Sequence, residues 1–146
     1  MKSLCIAVLA MFVTVQIASR AGPQSNVERS KGNLEGTWEL VSFKHGDQTT
    51  FSDVPKGRRQ IKLVTATHFA WLAYDVTTAT TSSNAGGTYS LQGNSYKEQV
   101  EFVSKDVQFL AGKEQPFQIK VEGDTWFVSG FLSNGLKIDE RWKRVP

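Results

Sequence analysis

The chain has 146 residues, a formal net charge of +3 and one cysteine. That length suits a single domain, and one cysteine excludes a disulfide-stapled scaffold. No basic run accompanies a strip of aromatic residues, so the composition argues against a nucleic-acid-binding protein.

Residues 1–21 have the pattern of a secretory signal peptide. Lys2 supplies a positive start, and residues 4–18 are mostly apolar but too short and interrupted for a confident membrane span. Ser19 and Ala21 are small residues at the −3 and −1 positions, which predicts cleavage after Ala21. A retained membrane anchor is the alternative interpretation.

Cleavage there would have three consequences. Cys5 would be removed, so the mature protein would have no thiol and no disulfide, and loss of Lys2 and Arg20 would reduce the net charge to about +1. The protein would be secreted or periplasmic, with no membrane association after cleavage.

Residues 22–33 are predicted to be a polar linker, which leaves residues 34–146 as the folded domain.

The first half of the domain alternates between strands and turns. Residues 37–43 are predicted to be a strand, followed by a turn that contains His45. The basic cluster at residues 56–59 is interpreted as a solvated turn in preference to an anion site. Residues 60–65 and 67–75 are further predicted strands. Residues 76–84 lack apolar periodicity and are predicted to be a loop at the barrel mouth, either a variable loop or a lid over a site.

The second half is a series of hairpins. Gly-Asn, Gly-Asp and Asn-Gly pairs separate runs of alternating polarity, which is the typical hairpin pattern. The strands so predicted are residues 87–92, 95–104, 115–122, 125–133 and 136–145. Residues 106–114 are either a short strand or a bent connection. No helix is expected except a possible turn around residues 27–34.

This succession of strands predicts an all-β fold: a small antiparallel up-and-down barrel of 8–10 strands, lipocalin-like in layout, whose first and last strands meet. Alternate side chains of each strand should point into it. In the last strand, Glu140 shares a face with Ile138 and Trp142. In the strand of residues 95–104, Glu98 shares a face with Tyr96 and Val100.

An ionised carboxylate in an apolar interior needs a partner, a hydrogen bond or water. The two acids either belong to a structural network or a hydrated rim, or they form the polar part of a ligand pocket. Arg144 is a candidate partner for them. The residues predicted to bind a ligand are His68, Tyr74, Tyr89, Tyr96, Glu98, Glu140 and Trp142.

Catalysis has little support in the sequence. There is no Gly-x-Ser-x-Gly motif, and two histidines are too few to suggest a metal site. We therefore predict no catalytic residue, no metal ligand and no cofactor. Two alternatives to a ligand-binding protein remain: a small barrel enzyme that uses carboxylate and tyrosine for acid–base chemistry, and an extracytoplasmic interaction or inhibitor domain with a filled barrel.

The segment Gly36-Thr37-Trp38 resembles the Gly-x-Trp motif of the lipocalin and calycin superfamily. With four further segments, at residues 68–71, 86–89, 96–98 and 140–144, the chain is similar to a family of uncharacterised secreted bacterial lipocalin-like proteins. The resemblance implies structural roles for Gly36 and Trp38 and an arginine packed across the tryptophan, Arg144 by preference and Arg141 second. The apolar inner faces with their few polar groups predict a small, partly hydrophobic ligand in the barrel. The resemblance does not identify the ligand or the oligomeric state.

Overall fold

A computed structural model describes residues 34–146; the predicted signal peptide, the linker and all but the last residue of the possible helical turn lie outside this range. One short 3-10 helix, η1, spans Lys105–Leu110. No helix within the described range is long and apolar enough to cross a membrane. The strands are β1 (Gly36–His45), β2 (Ser52–Asp53), β3 (Arg58–Val64), β4 (His68–Asp75), β5 (Thr80–Gln92), β6 (Ser95–Val103), β7 (Glu114–Glu122), β8 (Thr125–Phe131) and β9 (Lys137–Val145).

The sheet is a closed antiparallel barrel. From β3 to β9, each strand pairs with the next one along the chain, and β1 pairs with both β3 and β9. At the point of closure, Thr37 lies opposite Val145 and His45 lies opposite Ile138. Eight strands form the barrel, and β2 adds a two-residue pairing to β1. The predicted fold class and the meeting of the first and last strands are confirmed.

The predicted loop at residues 76–84 is wrong. Only residues 76–79 form a turn, and β5 begins at Thr80. The Asp75 carboxylate fixes this turn by accepting hydrogen bonds from the backbone N–H groups of Thr77 and Thr78. The first residues of β5 are exposed on both faces, so no alternation of polarity could reveal the strand.

The stretch at residues 106–114 is a bent connection and not a separate strand. It contains η1, whose Leu110 is buried in the core. The regular ladder between β6 and β7 ends where Gln99 lies opposite Glu114, and η1 lies beyond this point. The two-residue strand β2 had no recognisable pattern and was not predicted.

Trp38 and Arg144 close one end of the barrel. The Trp38 side chain is fully buried, and its indole N–H donates to the Leu34 carbonyl oxygen at 2.7 Å. The guanidinium carbon of Arg144 lies 4.2 Å from the centroid of a Trp38 ring, and Nη1 donates to the Glu35 carbonyl oxygen at 2.7 Å. This is the contact expected from the sequence.

Gly36 makes room for this closure. Its φ is +133°, a conformation that side chains disfavour, and a Cβ atom there would lie 2.7 Å from Arg144 Nη1. A larger residue would therefore clash with the arginine that covers Trp38. The spacing Gly-x-Trp thus has a local physical reason in this chain.

Candidate functional site: polar groups in the barrel cavity

The barrel contains a cavity of about 180 Å³. Its walls include residues near the end of β1 remote from Trp38, as well as η1. Most of the lining is apolar and includes Trp71, Phe109, Leu110, Val128, Ile138 and Trp142. Polar side chains interrupt this lining, among them His45, Lys62, Glu98, Gln115 and Glu140. Apolar walls with a few buried polar groups are typical of small-molecule sites.

Glu98 is buried and paired with Lys62. The Lys62 ammonium donates to Glu98 Oε1 at 2.6 Å, and the Tyr96 hydroxyl donates to the same oxygen at 3.0 Å. Both charged side chains are almost entirely buried. Glu98 thus faces the interior as the sequence predicted, and its partner is a lysine that the sequence analysis did not select.

Aromatic rings surround the Lys62 ammonium. Four ring centroids lie 5.1–5.9 Å from Nζ, a distance at which the faces of aromatic rings attract a cation. They belong to Phe69, Tyr96, Trp126 and Trp142. These rings and the Glu98 carboxylate together surround the ammonium group.

Lys62 was not predicted as a site residue because an apolar face of a strand is expected to face the interior, and in β3 a charged residue does so instead. Along β3, Lys62 points into the barrel, whereas its neighbour Leu63 is 44% exposed on the outer face. Hydrophobicity therefore indicates the wrong face. The available clue was indirect: an inward-facing acid such as Glu98 requires a cation or hydrogen-bond donors.

Tyr96 is a neutral hydrogen-bond donor in this cluster. Burial, with the nearby Glu98 carboxylate as a second cause, raises the pKa of Tyr96 well above its ordinary value. The ring also contacts Tyr89 and Trp126, with centroids 5.3 and 5.5 Å away. Burial likewise raises the pKa of Tyr89, whose hydroxyl donates to the Thr65 carbonyl oxygen and is not in the cavity lining.

Glu140 lies at another part of the wall. Its Oε1 is 3.1 Å from His45 Nε2, and its Oε2 accepts from the Trp142 indole N–H at 3.0 Å. The sequence placed His45 in a turn, but β1 continues through it and brings it opposite Ile138. Because β1 extends two residues beyond its predicted end, the His45 imidazole becomes part of the site.

Gln115 is a third polar wall residue, after Lys62 and His45, that the sequence analysis missed. Its side chain is 1% exposed, and its Oε1 accepts from the Ser133 backbone N–H at 2.8 Å. Its Nε2 is buried and has no hydrogen-bond partner among the described residues. The clue was the alternation of β7, since Gln115 has the same parity as the buried Phe117 and Ile119.

Besides Tyr89, two predicted site residues lie outside the cavity. His68 is exposed, and its Nδ1 is 2.7 Å from the Thr67 hydroxyl. Tyr74 lies opposite Arg59 in the sheet and does not line the cavity. The inner face of β4 carries Phe69 and Trp71, the reverse of the predicted assignment. Both faces of this strand are apolar, so alternation could not decide between them.

The arrangement provides hydrogen bonding in an apolar enclosure. Lys62 and Glu98 neutralise each other, and Glu140 is held by two donors. In residues 34–146 no group of three His, Cys, Asp or Glu side chains could hold a metal ion. Of the predicted set, Tyr96, Glu98, Glu140 and Trp142 come together in or beside the cavity, and Lys62, Gln115 and His45 join them.

Comparisons with known proteins support the architecture. No protein-family model matches the sequence, and none of the curated proteins matches it. An uncharacterised protein from Bacteroides eggerthii has a TM-score of 0.56 at 11% identity, covering 76% of this chain and 98% of its own. A redesigned β-barrel has a TM-score of 0.54 at 12% identity, covering 81% of this chain and 96% of its own. At such identities these likenesses show the fold alone, a small antiparallel β-barrel.

Proposed function

We propose that this protein binds a small, partly hydrophobic ligand inside the barrel. The observation that carries the proposal is the cavity of about 180 Å³, enclosed by aromatic and aliphatic side chains and containing buried polar groups. For scale, an engineered apolar cavity of about 150 Å³ holds one benzene molecule. A ligand of one ring with a short substituent therefore suits the space.

We also propose that the protein is a lipocalin-like protein that acts outside the cytoplasm. The signal-peptide pattern of residues 1–21 supports the location. The Gly36, Trp38 and Arg144 closure supports the lipocalin-like relationship.

Ligand binding fits the cavity better than the two alternatives. A domain with a filled barrel would not need an enclosed space between Lys62, Gln115 and Glu140. General acid–base catalysis needs a carboxylate free to exchange a proton with substrate. Glu98 is instead tied to an ammonium group, and Glu140 to an imidazole and an indole.

A pair of tryptophan substitutions tests whether the ligand enters the barrel. Leu132→Trp would enlarge a side chain in the cavity wall, whereas Leu63→Trp makes the same change on the exposed outer face of β3. We expect calorimetric titration with benzyl alcohol and ethylbenzene to show binding to the unmodified protein and to the Leu63→Trp variant. The Leu132→Trp variant should bind at least about tenfold more weakly, because the added ring occupies the ligand's volume.

Native mass spectrometry of the purified protein complements the titration, since a retained small molecule would support the proposal directly. Absence of binding of both probes together with absence of a retained molecule would contradict it. Equal binding to the two tryptophan variants would place the ligand outside the barrel.

A further inference from the structure

We propose that the cavity selects a neutral ligand that carries a hydroxyl group on a single ring or its short substituent, the hydroxyl oxygen accepting from Gln115 Nε2 and the hydroxyl hydrogen being donated to Glu98. This inference rests on the proposed ligand-binding function and specifies its chemical class. Three observations support it: an unpartnered buried donor, an acceptor on the directly opposed residue of the adjacent strand, and the balance of charge in the cavity.

Gln115 presents the donor. Its amide oxygen is already engaged by the Ser133 N–H, which determines the orientation of the amide group. The amide nitrogen is therefore the end left without a partner among the described residues. A buried N–H₂ group that makes no hydrogen bond costs free energy, so an acceptor delivered by a ligand would be bound favourably.

Glu98 presents the acceptor beside it. Glu98 and Gln115 are directly opposed residues of β6 and β7, and both line the cavity. Directly opposed side chains of an antiparallel pair have Cβ atoms about 4.5–5.5 Å apart. Lys62 and Tyr96 both donate to Oε1 of Glu98, so Oε2 accepts no hydrogen bond from the residues the structure describes.

A donor and an acceptor side by side match a group that both accepts and donates. A hydroxyl does so with a single oxygen atom. A methyl or ethyl group of similar size would leave both protein groups without a hydrogen bond. Sites built around buried polar groups discriminate strongly against such analogues for this reason.

The charges in the wall disfavour ionised ligands. An anion would lie near the carboxylates of Glu98 and Glu140, while Lys62, the only buried cation in residues 34–146, is already paired with Glu98 at 2.6 Å. A cation would meet the Lys62 ammonium, and the two oxygens of Glu140 already accept from His45 and Trp142. A neutral hydroxyl avoids the desolvation of an additional charge.

Four probes of nearly constant shape test this selectivity. Benzyl alcohol carries the hydroxyl, ethylbenzene replaces it with a methyl group, and benzylammonium and benzoate carry a positive and a negative charge. Titration calorimetry with the purified protein should show benzyl alcohol binding at least about tenfold more tightly than each of the other three, the effect of one or two buried hydrogen bonds.

The outcomes are separable from a failure of the proposed function. Equal binding of ethylbenzene and benzyl alcohol would overturn the hydroxyl inference while leaving ligand binding in place. Tighter binding of benzoate or benzylammonium would overturn it in favour of a charged ligand. Absence of binding by all four probes would overturn the hydroxyl inference, whereas the proposed function would fall only if native mass spectrometry also found no retained molecule.

A matched pair of variants tests the role of Gln115. Gln115→Met removes the buried amide at similar volume, and Gln118→Met makes the same change on the exposed face of the same strand. We expect Gln115→Met to bring benzyl alcohol close to ethylbenzene, and Gln118→Met to retain the tenfold preference. A preference that persists in folded Gln115→Met protein would overturn the assignment.

NMR provides a second measurement that needs no variant. The side-chain amide resonances of Gln115 should shift on addition of benzyl alcohol much more than on addition of ethylbenzene, because only the alcohol accepts a hydrogen bond from Nε2. Identical shifts with both probes would contradict the proposal even if the Gln115→Met variant failed to fold.

Discussion

The two ends of the barrel are built from the same strands but packed differently. At the closed end, Trp38 and Trp126 lie in contact, with ring centroids 5.5 Å apart, and Arg144 covers Trp38 from outside. Trp126 in turn lies 6.2 Å from Trp142 of the cavity wall. At the other end, the strands enclose the cavity, and polar groups such as Gln115 and Glu140 interrupt the apolar wall.

The comparison indicates how one sheet can be stable and still contain a cavity for a ligand. Burial of large aromatic side chains contributes most of the stabilisation available to a barrel of this size. Because the closed end has that packing, the other end can retain an unfilled volume. The Lys62–Glu98 pair lies between the two regions, since it contacts Trp126 on one side and lines the cavity on the other.

Removing a tryptophan from the closed end should have the largest effect on stability. Trp38→Ala should lower the free energy of unfolding by about 3–5 kcal/mol, since it creates a cavity in a fully packed region. Trp71→Ala at the cavity end should cost less, because Trp71 is only partly buried. Urea titration measures both changes, and equal losses would contradict the contrast between the two ends.

Breaking the charge pair should have a nearly equal effect. Lys62→Met leaves the Glu98 carboxylate buried without its cation, which should cost about 3–5 kcal/mol. The double variant Lys62→Met with Glu98→Gln removes both charges and should recover a large part of that loss. If the double variant is less stable than Lys62→Met, the pair is not the cause of the destabilisation.

Tyr96 should make the protein sensitive to alkali. Its pKa is raised in the folded state, so above about pH 10 the unfolded chain releases this proton while the folded protein retains it. The stabilisation is therefore complete below pH 10 and is lost as pH rises toward the folded pKa.

Tyr96→Phe should remove this contribution to the alkaline slope. It should also lower stability at neutral pH by about 1.5–3 kcal/mol, since the hydroxyl donates to a charged carboxylate. Urea titrations of both proteins between pH 7 and 11 measure the two effects. An unchanged slope would show that Tyr96 does not govern the alkaline response.

The smallest effect is expected on the outer surface. Arg59 donates two hydrogen bonds to the Glu39 carboxylate, at 2.7 and 2.8 Å, but both side chains are substantially exposed. Arg59→Gln should therefore cost much less than Lys62→Met, and the difference from the unmodified protein should shrink in 1 M NaCl. A loss comparable to that of Lys62→Met would mean that burial does not separate the two ion pairs.

The same surface pair should respond to acid. The hydrogen bond from Arg59 lowers the pKa of Glu39, so the unfolded state takes up this proton first as pH falls. The pair's contribution is present above the ordinary glutamate pKa and is lost as pH falls through the folded value. Arg59→Gln should reduce this part of the acid-induced loss, which urea titrations at pH 3–7 would measure.

Local patterns in the sequence were sufficient for the strands and for the closed end of the barrel. Alternating polarity and turn pairs such as Gly93-Asn94 predicted most strands, because strand periodicity and hairpin geometry depend on residues close together in the chain. The roles of Gly36 and Trp38 were implied by the resemblance that the Gly-x-Trp motif carries, and the parity of the last strand selected Arg144 as the packed arginine. The same parity placed Glu98 and Glu140 on inner faces.

Only the tertiary structure decided which partners those acids have. Lys62 and Glu98 are 36 residues apart in sequence, and Lys62 lies in a strand whose exposed leucine indicates the opposite face. The hydrogen bond that Gln115 Oε1 accepts comes from Ser133, which lies in the connection between β8 and β9. A chain's own periodicity determines how a strand alternates, whereas the partner of a buried polar group depends on strands brought together by closure of the barrel.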